Sequence, residues 1–221
     1  MRIGRILAVS LGAASIVLSC GGGERTIVKT FFDAVQGGDA DAAARVSVVE
    51  FPDEVSSWEI VEVGPEFAEP FPLDTMHKKF LELEDEVETK KSADQTFLEA
   101  NLEVYQEYRK RTENNPDAEL EGKLAEFKSE LDTRLAAQDE LEKALEKLRE
   151  EMKQLREAAT LSLNTAVNER YAGEVKGKEL QLNINGKSYR LVLKRYELVD
   201  SERNITPISR WIITGIEEQK A

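Results

Sequence analysis

Along this chain the spacing of apolar side chains changes three times, and each change marks a different kind of element. Residues 24–36 carry Ile27, Val28, Phe31, Phe32 and Val35 before Gly37-Gly38. That is the stripe of a helix with one buried face and a glycine stop. Asp39 then caps a short second helix over 42–46. Residues 58–63, Trp-Glu-Ile-Val-Glu-Val, lie before Gly64-Pro65 and read as a strand. Three more strands are expected late in the chain, over 179–183, 188–199 and 208–216. The first two are joined by Asn185-Gly186, the dipeptide that favours a two-residue hairpin turn. Leu191 and Leu193 alternate with Val192 in one of them, and Trp211 and Ile213 flank Ile212 in the other. With bulky residues on both parities, the sheet is expected to be covered on both faces.

Between these regions the pattern becomes helical for a long stretch. Residues 75–160 hold one glycine, Gly122, and one proline, Pro116, and are dense in Glu, Lys, Leu and Ala. Leu124, Phe127, Leu131, Leu141, Leu145, Leu148, Met152, Leu155 and Ala159 recur in steps of three and four, a heptad seam. An earlier seam runs through Met76, Phe80, Leu83 and Val87, then Phe97, Asn101, Val104 and Tyr108. Asn114-Asn115-Pro116-Asp117 separates the two and breaks a helix. Two helices of similar length around one breaker predict an antiparallel coiled-coil hairpin. With its tip near residue 115, Met76 faces Leu155, Leu83 faces Leu148 and Val87 faces Leu145. The same alignment brings Lys90 and Asp94 level with Arg134 and Gln138, so both seams turn polar at one height. Such a layer fixes register at some cost in stability; a hinge or a docking notch is the alternative. A helix of some 39 residues would project about 58 Å.

The expected fold class is therefore α+β: a small antiparallel sheet and an N-terminal helix, with the long hairpin inserted. Residues 24–74 and 161–221 form the two parts of the α+β domain, and 75–160 the insertion.

The N-terminus has its own pattern. Arg2 and Arg5 precede an apolar run over 6–18, shorter than the roughly 20 residues needed to span a bilayer. Ser19, Cys20 and Gly21-Gly22-Gly23 follow, and Cys20 is the only cysteine. The order of basic, apolar and small residues before a cysteine resembles the lipobox of bacterial lipoproteins. Val17 and Ser19 suit it, and Leu18 is a bulkier departure. The resemblance implies that residues 1–19 are a signal peptide, that Cys20 carries diacylglycerol and an acylated N-terminus, and that 20–23 tether the protein to a membrane. A secreted soluble chain or a retained N-terminal helix is the alternative. An aspartate after the cysteine would mark inner-membrane retention; Gly21 there points to a place in the cell envelope at the outer membrane. Loss of residues 1–19 moves the formal charge from -13 to -15, which argues against nucleic acid and anionic surfaces as partners.

Residues 26–39, Thr-Ile-Val-Lys-Thr-Phe-Phe-Asp-Ala-Val-Gln-Gly-Gly-Asp, and 210–216, Arg-Trp-Ile-Ile-Thr-Gly-Ile, resemble the opening and last strand of small bacterial lipoproteins in the superfamily of nuclear transport factor two and ketosteroid isomerase. The resemblance covers about 24–64 and 165–217. It implies a cone-shaped sheet around the first helix, whose mouth binds a small ligand or a partner; the long insertion departs from that pattern. Asp33 and Tyr189 are the candidates to face such a cavity, but they form no recognisable catalytic pair, and the sole histidine, His77, is expected in solvent at the base of the hairpin. No phosphate loop, nucleophile elbow or metal-spaced His and Cys set is present. Glu82, Glu84, Asp85 and Glu86 point around a helix instead of converging on a cation. Neither a cofactor nor a metal is expected, and catalysis is disfavoured.

The one concentrated aromatic and basic group is Tyr105, Tyr108, Arg109, Lys110 and Arg111 near the tip. Tyrosine and arginine are common at binding hot spots, although tyrosines at this spacing also suit the seam. The chain is thus expected to be a lipid-anchored scaffold that presents its hairpin to an envelope protein or to itself. A small-ligand carrier or sensor using the cone is the alternative, and a cone enzyme or a client-gripping chaperone are weaker ones.

Overall fold

The computed structural model describes residues 22–113, 115 and 119–219. The expected signal segment and Cys20, together with Asn114, Pro116 and Asp117 of the expected tip, lie outside the described residues. Helices α1 (Gly22–Gly37) and α2 (Ala40–Ala44) open the chain, and strands β1 (Trp58–Val63) and β2 (Phe67–Pro70) follow. Helices α3 (Leu73–Ala100), α4 (Leu102–Thr112) and α5 (Lys123–Leu163) come next, then strands β3 (Tyr171–Ile184), β4 (Lys187–Asp200) and β5 (Ile212–Glu218). The fold is α+β, with one five-stranded antiparallel sheet and a helix of 41 residues.

The sheet is built around the β3–β4 ribbon, whose 14-residue strands pair without a shift from Tyr171↔Asp200 to Ile184↔Lys187. Asn185 and Gly186 both have positive φ, 52° and 84°, as the expected two-residue turn requires. Asn185 also accepts hydrogen bonds at Oδ1 from the Ser56 and Ser57 amides (2.9 and 3.1 Å), so the turn pins the loop before β1. β5 pairs with β4, while β1 and β2 lie end to end along the other side of β3. Between Ile60↔Leu182 and Glu62↔Gln181 the register shifts, leaving Val61 as an extra, exposed residue. β2 was not foreseen; its pairing with Glu174 to Gly177 depends on Phe67, whose ring lies where a Cβ on Gly177 would fall. β3 begins eight residues before the expected strand. Its first half is rich in glycine and charge, so only the packing of Tyr171 and Val175 marks it.

Because β3 and β4 pair in unbroken register, residue parity assigns every side chain to a face. Leu180, Leu182, Tyr189, Leu191 and Leu193 share one face near the turn, where α1 covers them with Val28, Phe31 and Phe32, all at most 1% exposed. Phe32 stacks on Trp58 with ring centroids 5.1 Å apart, and Phe51 closes edge-on against Phe32 and Tyr189. Tyr171, Val175, Tyr196 and Leu198 have the opposite parity and form a second core at the other end of the ribbon, with Phe71, Leu73, Ala158, Ala159 and Leu163. The sheet is therefore covered on both faces, each over a different half.

The end of α5 is stitched into that second core. The Ser162 hydroxyl, 1% exposed as a residue, donates to Arg210 O (2.6 Å) and accepts from the Tyr196 amide (3.2 Å). Arg210 Nε donates to Leu161 O at 3.1 Å, satisfying a carbonyl of the last turn. Leu148 and Met152 of α5 join the same core, and Met76, Phe80 and Leu83 of α3 pack on it.

The first expected long helix is two helices. At Asn101 the backbone leaves helical geometry (φ -115°), and its side-chain Nδ2 donates to Phe97 O at 2.9 Å. An asparagine that bonds the preceding turn competes with the helical ladder. Gly22 and Gly23, expected in the glycine tether, are helical. α1 starts at Gly22, because Glu24 in its first turn is ion-paired with Lys178 and buried against the sheet.

Candidate functional site

Three places on the molecule gather polar or aromatic groups around a recess. The first is the polar layer between α3 and α5. Asp94 Oδ1 accepts from Lys90 Nζ at 2.7 Å and from Arg134 Nη1 at 3.1 Å, while Asp94 Oδ2 is buried without a hydrogen-bond partner. Arg134 Nε lies 2.7 Å from Glu130 Oε1 yet makes no aligned hydrogen bond, and its guanidinium sits 4.4 Å from the centre of the Phe97 ring. Burial works against ionisation of Asp94, but hydrogen bonds from Lys90 and Arg134 and their two charges outweigh it and hold the carboxyl below its ordinary value. Gln138 donates to Glu142 at 3.0 Å and lines, with Asp94, Arg134 and Phe97, a notch of about 200 Å³. Of the four residues expected at one height, Lys90, Asp94 and Arg134 are in contact. Gln138 lines the layer and bonds outward.

The second place is the far end. Phe97 stacks on Phe127 at 5.4 Å with rings 9° from parallel, and Tyr105 and Tyr108 lean on the same Phe127 ring at 6.1 and 5.8 Å. Tyr105 and Tyr108 are therefore half-buried between α4 and α5. Arg109, Lys110 and Arg111 are exposed in the last turn of α4, where cations complement the helix dipole, and Arg111 reaches Glu107 at 3.1 Å. The structure divides the expected five-residue cluster into an aromatic contact and a basic, solvated turn. Phe127 is its hub; the sequence marks it only as one seam position among many.

The third place is an open apolar groove of about 410 Å³ beside the first core, between the second half of α1, α2 and residues 47–51. Phe31, Val35, Ala43 and Phe51 line it, and Asp39 at its edge caps α2 by accepting from the Ala42 amide at 2.9 Å. Only the run of small residues at 40–44, which lets α2 lie close to α1, hints at it in the sequence. Asp33 and Tyr189 do not line this groove: Asp33 is exposed and paired with Lys29 at 2.5 Å, and Tyr189 is buried in the first core. The space under the sheet, where a cone would open, is filled by Phe31, Phe32, Phe51, Trp58 and Tyr189.

His77 is half-buried at the foot of α3. Near it, a hydrogen bond from Glu169's own backbone holds the Glu169 carboxyl below its usual value against the cost of burial, with the paired Arg156 adding to the effect. Glu82, Glu84, Asp85 and Glu86 are exposed on α3, and among the described residues no group of three or more His, Cys, Asp or Glu is placed to hold a metal ion. Among the described residues no helix is long and apolar enough to cross a membrane. No protein-family model, curated protein or solved structure matches the chain.

Proposed function

We propose that this chain is a bacterial envelope lipoprotein, anchored through Cys20, that works by binding. In this reading α3, α4 and α5 form an antiparallel coiled-coil hairpin inserted into a base related to nuclear transport factor two, and its far end meets an envelope protein or a second copy. The observation that carries the reading is the order of contacts. Phe80 meets Arg149, Lys91 meets Glu142, Asp94 meets Arg134 and Phe97 meets Phe127, so one partner advances as the other retreats. At 1.5 Å per residue, α5 spans about 60 Å, which sets a binding end far from the base.

The test is photo-cross-linking in intact cells from Arg109 and Glu113, with Lys187 at the opposite hairpin turn as reference. Capture of one defined protein from the far positions and not from Lys187 supports the reading; capture from Lys187 alone refutes it. A companion deletion should remove residues 90–138 only. A longer cut would take Leu148 and Met152 out of the second core and unfold the base, confusing loss of partner with loss of fold.

The apolar groove favours a second reading, a carrier or sensor for a small apolar ligand, since pockets of roughly 300–1,000 Å³ suit such ligands. Ala43→Trp should fill the groove. If ligand-induced stabilisation by a lipid extract survives that change, this second reading fails.

A further inference from the structure

Residues 22–24 are built into the body of the fold, although the sequence presents Gly22 and Gly23 as linker. The Glu24 side chain is 8% exposed and paired with Lys178, whose Nζ is also 3.5 Å from Glu66 Oε2. Lys178 and Arg195 lie over the Trp211 ring at 5.3 and 4.9 Å, and a Cβ on Gly23 would come within 3.5 Å of that ring. The first turn of α1 is thus clamped by two strands and the residue that precedes β5.

Only two peptide links separate Cys20 from Gly22, a reach of about 7.6 Å at 3.80 Å per residue. Packed layers of secondary structure lie about 8–10 Å apart, so a tether this short cannot carry the chain past both the helix and the sheet to the other side. Lys178, paired with Leu193, and Arg195 have one parity on the ribbon; Val175, paired with Tyr196, and Leu198 have the other. The clamp and the foot of α5 therefore lie on opposite faces.

We infer that the sheet face bearing Glu24, Lys178 and Arg195 is the side that lies against the bilayer, and that the sheet stands between the membrane and the foot of α5. This rests on the reading of Cys20 as the acylated residue. The strands offer little free positive charge to anionic lipid on this face, because Lys176 is paired with Glu174 at 2.9 Å, Arg195 with Glu197 at 2.6 Å, and Lys178 with Glu24 and Glu66. The orientation is set by tether length, and it should be indifferent to salt and to lipid charge.

Acylation blocks the only cysteine, so single engineered thiols can be labelled cleanly. Full-length acylated protein carrying Ala68→Cys or Ala172→Cys, exposed neutral positions on the face of Lys176 and Lys178, or Glu157→Cys on α5, is reconstituted into phosphatidylcholine vesicles containing a headgroup-linked quencher. Intact mass reports the lipid on Cys20 separately; its absence overturns the anchoring reading itself. With the lipid present, the labels at 68 and 172 should be quenched several-fold more than the label at 157, unchanged by salt or by added anionic lipid. Equal quenching at all three, or stronger quenching at 157, overturns the inference. Inserting about twelve Gly and Ser residues after Cys20, which gives a flexible reach of some 20 Å, leaves the fold untouched and should erase the contrast. Contrast that survives the longer tether also overturns it.

Discussion

The near and far halves of the paired helices differ in what lies behind them. In the near half, Leu73, Leu148 and Met152 are at most 7% exposed and share a core with Tyr196 and Leu198 of the sheet. In the far half, α3 and α4 have only α5 to pack on, and the contacts are an aromatic stack on Phe127, a charged layer at Asp94 and surface ion pairs. Similar sequence spacing thus makes two kinds of structure: one end is part of the sheet's own core, and the other depends on helix-on-helix contact. Stability should be distributed in the same way, with the far half opening independently and the near half only with the whole domain.

The strongest challenge to that division is Leu198→Ala. It removes a residue with no exposure from the second core and should cost about 2–5 kcal/mol. Urea unfolding followed by far-ultraviolet circular dichroism should show one transition shifted as a whole; a sheet that stays put while helix signal moves would show that the near half is separate after all. Phe127→Ala should cost about 3 kcal/mol, the lower end for a buried phenylalanine, but locally. Amide exchange should accelerate over 97–112 and 120–131 and stay slow over 73–87 and 148–163.

Asp94→Ala comes next, at about 1.5–3 kcal/mol for lost hydrogen bonds to charged groups, again confined to the far half. Its pH dependence has a definite sign. The folded carboxyl lies below its ordinary value, so its contribution is complete above the unfolded pKa of about 3.9 and is lost as pH falls through the folded value. Protection of 90–101 against exchange should therefore fall in acid in the natural chain, and Asp94→Asn should flatten that fall. Replacing Lys90, Asp94 and Arg134 together by apolar residues of similar size should leave stability equal or higher; if the layer specifies alignment, cross-links between Lys91 and Glu142 positions should then become heterogeneous. The smallest effect is expected at Lys143→Ala, whose side chain is 73% exposed in its pair with Asp139: an exposed pair contributes little, and the thermal melt should not move.

Where local chemistry decides, the sequence was readable. Asn185-Gly186 forms the turn it signals, Asp39 caps α2, and Asp94 and Arg134, level in the alignment about residue 115, form an ion pair. Where distant chains decide, it was not. β2 and the first half of β3 contain Gly173, Gly177 and several charges, and form strands because Phe67 and Phe71 dock there. Asn101 fits the seam by spacing, yet its side chain interrupts the helix. One signal was present and goes unused by a simple alternation rule: in β4 the buried positions are 189, 191 and 193, then 196 and 198. The phase changes at Lys194-Arg195, where the ribbon passes from one core to the other. At the candidate sites, spacing located the polar layer but could not tell that Phe127 would draw Tyr105 and Tyr108 inward.

The extra residue at Val61 has a consequence for behaviour in a crowd. β1 is an edge, and a straight edge offers its free amides and carbonyls to any neighbouring copy. Here Val61 breaks the repeat, Glu59 and Glu62 place like charges on either side of it, and β2 ends in Pro70, which has no amide proton to give. Two such edges brought together would meet out of step and repel. Copies of this chain at high local density are thereby hindered from pairing with one another through the β1–β2 edge.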